Sequence, residues 1–123
     1  MPTFSKNERL CSKILIDRLI ATGKSFNHSP YIITWLPIAE SSAPIKVVIS
    51  VPKRSIKKAV DINRLKRQIR EVYRNKKQSV YDVLGDKKIL VMIVYTAKVK
   101  LEFKEIEQKL IEGLDRLNKE LFK

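Results

Sequence analysis

The chain has 123 residues, 44% of them hydrophobic, enough to enclose one core and form a single domain over residues 1–123. Its 26 Lys and Arg stand against 13 Asp and Glu, a net charge of +13, so the expected partner is a polyanion. The composition excludes much else: the longest apolar stretch, residues 89–95, is far below the ~18 residues of a membrane span, MPTFSKNERL holds no apolar signal region, and one cysteine, Cys11, forms neither an internal disulfide nor a Cys-based zinc knuckle.

A cytoplasmic location and no membrane partner are therefore expected. In chain order, Ser5 and Glu8 have the S-x-x-E spacing of a capping box, so a first helix is predicted from there to about Ala21. Gly23, tolerant of a left-handed backbone, is the predicted stop. Leu10, Ile14, Leu15, Ile16, Leu19 and Ile20 spread over more than a narrow stripe, which predicts cover on more than one side. Cys11 reads as buried and inert.

Residues 31–36 and 45–51 are rich in β-branched and aromatic side chains and are punctuated by Pro30, Pro37, Pro44 and Pro52, which predicts two strands. A further short strand is expected around Phe26. Residues 89–95 are apolar on both faces, the mark of a central strand. A helix from about Asp61, read as its cap, to the region of Ser79 lies between. A last helix carries Phe103, Ile106, Leu110, Leu114, Leu117 and Leu121 at spacings of three and four, with Glu and Lys on its other face, and is expected to pack on the sheet and do nothing more. The order is α-β-β-β-α-β-α, an α+β layer of helices against one sheet.

The middle helix contains INRLKRQIREVYRNKK, seven Lys and Arg in sixteen residues. At 100° per residue, Ile62, Leu65, Ile69, Val72 and Tyr73 fall between about 280° and 20° and form the core face. Asn63, Lys66, Arg67, Arg70, Arg74 and Lys77 fall between about 40° and 140°, a contiguous strip beside it. Like charges such as Arg67 with Arg70, or Arg70 with Arg74, each weaken an isolated helix by roughly 0.2–0.5 kcal/mol. A face made only for solubility would interleave Glu, as the last helix does. Together with the adjoining KRSIKK loop, the sorted strip points to phosphate, which the planar fork of arginine binds bidentately.

Chemistry of the chain's own is scarce. His28 is the only histidine, far in sequence from any acidic cluster, and reads as a surface loop residue; no acidic pair stands near the basic strip at metal-ligand spacing. No catalytic residue and no metal ligand is therefore assigned. A stand-alone ribonuclease is disfavoured on that ground. DNA is not expected either, because strand and loop precede the basic helix where a helix-turn-helix needs a short helix. A structural RNA-binding protein of a ribosome-like particle is the alternative reading.

Lys53 to Arg74, K-R-S-I-K-K-A-V-D-I-N-R-L-K-R-Q-I-R-E-V-Y-R, resembles the arginine-asparagine-arginine motif of the bacterial ribonuclease P protein subunit. Phe4, Glu8, Arg9, Leu10, the Gly23-Lys24-Ser25 turn, the strands and the closing helix follow in that family's order. The resemblance implies the ribosomal protein S5 domain 2-like α+β fold, with a left-handed strand-helix-strand crossover. It also implies an accessory of a catalytic RNA that removes the 5′ leader from precursor tRNA. Both RNAs would be partners, and magnesium would enter through the RNA, with no cofactor bound by the protein alone. Ala59, Val60, Asn63, Arg64, Lys66, Arg67, Arg70 and Arg74 match the motif. With Lys53, Arg54, Lys57 and Lys58, the polar and charged members of that set are the implied RNA contacts. Ile62 stands where the first motif arginine is expected, which implies that this contact is lost or passes to Lys57 or Lys58. The family's leader cleft often has aromatics on the first helix, where this chain has Ile16 and Ile20. Phe26, Tyr31 and Trp35 remain as candidates for stacking on the leader, with a place in the core the favoured alternative for each.

Overall fold

The computed structural model describes residues 13–38, 45–53, 56–84, 87–99 and 101–122. Seven elements follow the expected order: α1 (Lys13–Thr22), β1 (Lys24–His28), β2 (Tyr31–Ile38), β3 (Ile45–Ser50), α2 (Ala59–Leu84), β4 (Lys88–Tyr95) and α3 (Phe103–Phe122). The capping box at Ser5 and Glu8, Cys11 and Arg54 lie outside the described residues.

The four strands form one sheet in the order β1-β2-β4-β3. The β1–β2 and β2–β4 pairs are antiparallel, whereas β3 and β4 run parallel, so α2 is the crossover that returns the chain to start β4 beside β3. β4 is central, as its two-sided apolar pattern requires. Pro37 lies beyond the point where β1 begins opposite Trp35, so it sits in a stretch of β2 that has a strand on one side only.

Strand parity sorts the side chains. Tyr31, Ile33 and Trp35 of β2, Ile45, Val47 and Ile49 of β3, and Ile89, Val91, Ile93 and Tyr95 of β4 face α2 and α3 and form the main core with them. The opposite face is thinly covered. There α1 buries only Leu19, against Leu90, with Leu15, Ile16, Leu36, Ile38, Val48 and Met92 partly buried around it. The expectation of cover on more than one side of α1 is thus corrected: Ile14 is 80% exposed and Ile20 60%, and among the described residues the cover of the helix comes mainly from the sheet.

Two boundaries differ from expectation for local reasons, and a third falls where expected but for a different reason. α2 begins before Asp61: the Ile62 amide donates to the Lys58 carbonyl at 3.0 Å, which places Asp61 inside the first turn, where its negative charge favours the helix dipole. α2 also runs past Ser79 to Leu84, because buried Val80 and Leu84 continue the apolar stripe. Gly23 ends α1 through space and not through a left-handed backbone. A Cβ there would lie 2.4 Å from the Leu19 carbonyl oxygen, which accepts the Gly23 amide, and 2.9 Å from Thr34 Cγ2 of β2.

α3 does more than cover the sheet. It packs along α2, with Lys76 Nζ 3.9 Å from Asp115, and comes so close to β2 that a Cβ on Gly113 would meet Ile33 Cδ1 at 2.9 Å. Its other side reaches β1: Arg116 donates to the Asn27 carbonyl at 3.0 Å and lies 4.6 Å from the Phe26 ring centroid.

Candidate nucleic-acid interface

The core face of α2 is the one its spacing indicates. Ile62, Leu65, Ile69, Val72 and Tyr73 are all buried in the main core. Ile62 is therefore a packing residue, without the charge that a motif arginine would carry there. One turn earlier Lys57 and Lys58 are exposed, as is Lys53.

Anchoring that face turns its neighbour outward. Asn63, Arg64, Arg67 and Arg70 are exposed, and Lys66 and Arg74 are half-buried along the edge of the strip. From Asn63 to Arg74 the ridge rises through about 17 Å, three turns of helix. Lys53, Lys57, Lys58, Arg64, Lys66, Arg67 and Arg70 form no ion pair with a described residue, whereas Arg74 Nη2 bonds Glu71 Oε1. The ridge has lost its expected last member: Lys77 is 8% exposed, with its ammonium 5.8 Å from the Tyr81 ring centroid. The arrangement is a row of fixed cations set by a rigid core, suited to hold successive phosphates without reading a sequence.

The three stacking candidates face the other way. Tyr31 is fully buried; its hydroxyl donates to the Ile106 carbonyl at 3.0 Å and its ring meets Tyr95 edge to face at 6.0 Å. Burial, and secondarily Tyr95, hold the Tyr31 hydroxyl far above its ordinary pKa, so it stays protonated. Tyr31 thus offers no surface to a base. Trp35, 7% exposed under Lys24, and half-buried Phe26 under Arg116 lie on the same side of the sheet. The aromatic pattern hid a face that strand parity reveals, made of Ile32, Thr34 and Leu36 on β2, Lys46 and Val48 on β3, and Met92 on β4, all half-buried.

His28 is not a free loop residue. It ends β1, and its Nε2 lies 3.2 Å from Glu112 Oε1 of α3, across 84 positions of sequence. That contact foremost holds the Glu112 carboxyl below its ordinary range; Lys109, at 3.8 Å, acts in the same direction. Among the described residues no group of three or more His, Cys, Asp or Glu could hold a metal ion, and no helix is long and apolar enough to cross a membrane.

A four-stranded mixed sheet that presents one long helix with an exposed basic ridge defines an α+β protein suited to bind a polyanion. Comparison with known proteins then names the family. A family model described as Ribonuclease P matches residues 4–118. The ribonuclease P protein component of Porphyromonas gingivalis is 31% identical over 121 residues, covering 94% of this chain and 88% of that one. Among solved structures, the RNase P protein of Staphylococcus aureus has a TM-score of 0.70 at 23% identity, covering 91% of this chain and 96% of its own. That of Thermotoga maritima also gives 0.70 at 23%, covering 89% and 96%. The chain belongs to the ribonuclease P protein family, whose members are the protein subunit of a ribonucleoprotein endoribonuclease in tRNA processing.

Proposed function

We propose that the ridge from Asn63 to Arg74, extended by Lys53, Arg54, Lys57 and Lys58, is where this subunit holds the ribonuclease P RNA, and that the bound protein helps that RNA to remove the 5′ leader of precursor tRNA. One observation carries the reading: a row of cations, all but Arg74 without an acidic partner among the described residues, on a helix whose other side is fixed in the core. Lys57 and Lys58 take the place of the arginine that Ile62 replaces.

Substrate contact belongs on the thinly covered side of the sheet. The side bearing Phe26, Tyr31 and Trp35 is covered over most of its length by α2 and α3, which leaves the strip of Ile32, Thr34, Leu36, Val48 and Met92, with Lys46 at its edge, for an extended strand of leader. Contact there is aliphatic, so it favours no base by stacking. In this reading the acid, base and metal chemistry belongs to the RNA. Magnesium is held by RNA, and the protein's charge screens phosphate repulsion where the two RNAs meet, so divalent ions bind there more tightly.

The test is cleavage of precursor tRNA by the RNA alone and with the purified protein at low magnesium. The protein should raise the rate under those conditions. An equal rate with and without it would overturn the proposal.

A further inference from the structure

At the end of the sheet away from the start of α2 lies a cavity of about 400 Å³ lined by Lys24, Trp35, Pro37, Lys87, Ile89, Glu120 and Leu121. Its floor follows from register. Lys24 stands opposite Trp35, and Pro37 opposite Ile89, so these four share the face toward α2 and α3, while the last turn of α3 brings Glu120 and Leu121 over them. The space opens because β1 begins at Lys24 and leaves Pro37 with no β1 neighbour. The walls are a flat indole, a proline ring and two aliphatic side chains; the exposed rim carries two ammonium groups, and Glu120 adds one carboxylate.

We propose that this cavity binds a nucleotide, a planar base joined to a phosphate. The base lies among Trp35, Pro37 and Leu121, and the phosphate takes Lys24 and Lys87. The volume falls at the lower end of the range for small-ligand pockets, enough for one nucleotide. Lys24 now places its ammonium 5.5 Å from the Trp35 ring centroid. Turning it to a phosphate exchanges a cation–π contact for a charge-assisted hydrogen bond and uncovers the indole for the base. The positive potential of the chain concentrates such anions at the rim.

The site is separate from the ridge. The Lys87 amide donates to the Leu84 carbonyl at 3.0 Å, so the rim lies at the far end of α2, about 25 Å along the helix from Arg67. The ligand has two sources, a free nucleotide or the phosphorylated end of an RNA chain.

Trp35 is the only tryptophan, so its emission reports the cavity alone. AMP titrated into the intact protein should change that emission saturably, with a dissociation constant of about 1 mM or below. Adenosine and inorganic phosphate should each bind about tenfold more weakly, and Lys24→Ala or Lys87→Ala should weaken AMP by about the same factor. Arg67→Glu should leave AMP binding unchanged. A short oligonucleotide with a 5′-phosphate that displaces AMP assigns the site to an RNA end; one that fails to do so assigns it to the free nucleotide. No saturable change with AMP, or equal AMP affinity in the Lys24→Ala/Lys87→Ala double variant, would overturn the proposal.

Discussion

Glu71 binds Arg74 across one turn of α2, and among the described residues it is the one carboxylate that meets the ridge. Both side chains are partly in solvent, where an i,i+3 pair is worth about 0.2–0.5 kcal/mol. Glu71→Gln should therefore cost the fold little, while freeing Arg74 and removing a charge that repels phosphate. Affinity for ribonuclease P RNA should rise about twofold, measured by filter binding at fixed salt.

Arg67 and Leu65 stand two positions apart and separate the roles of the helix. Arg67→Glu should weaken RNA binding about tenfold or more, through a lost phosphate contact and a new repulsion, with an unchanged circular dichroism spectrum. Leu65 is fully buried, and Leu65→Asp should abolish folding, because a carboxylate there has no partner. Loss of structure in the Arg67 variant would contradict the placement of that side chain.

The Tyr31 hydroxyl joins β2 to the first turns of α3. Tyr31→Phe keeps the ring and removes one buried hydrogen bond, so it should lower stability by about 1 kcal/mol in urea unfolding. RNA affinity should be unaffected, since the hydroxyl lies inside the core.

The His28–Glu112 contact gives the fold a dependence on pH. The Glu112 carboxyl titrates below its ordinary value of 4.5, chiefly because His28 bonds its charged form. A lowered folded-state value means that the contribution is complete above the ordinary value and is lost as pH falls through the lower one. The stability difference between the native protein and Glu112→Gln should thus be present just above the ordinary value of 4.5 and shrink as pH falls below it. A difference that grows on acidification would refute the assignment.

Much of this was legible in the chain, for reasons that particular residues make plain. The period of Ile62, Leu65, Ile69, Val72 and Tyr73 fixes which side of α2 is buried and, by subtraction, where the arginines point. The two-sided apolar run of β4 marks the centre of the sheet. For Tyr31 and Trp35 both stacking and the core stayed open, because residue type alone does not say which face of a strand is covered, which depends on where α2 and α3 settle. The pairing of His28 with Glu112 depends on tertiary placement, which no local pattern carries. Lys77 lies in the angular strip yet folds onto Tyr81, a reminder that a long side chain can leave the sector its Cα indicates.

The proposed grip of the α2 ridge on RNA phosphates is tested by the salt dependence of binding to ribonuclease P RNA, for the native protein and for Arg67→Glu/Arg70→Glu. With about six phosphate contacts the native slope of log affinity against log salt should be roughly −4 to −5, and the double variant should be shallower by about 1.5. Equal slopes and equal affinities would place the RNA elsewhere on the protein.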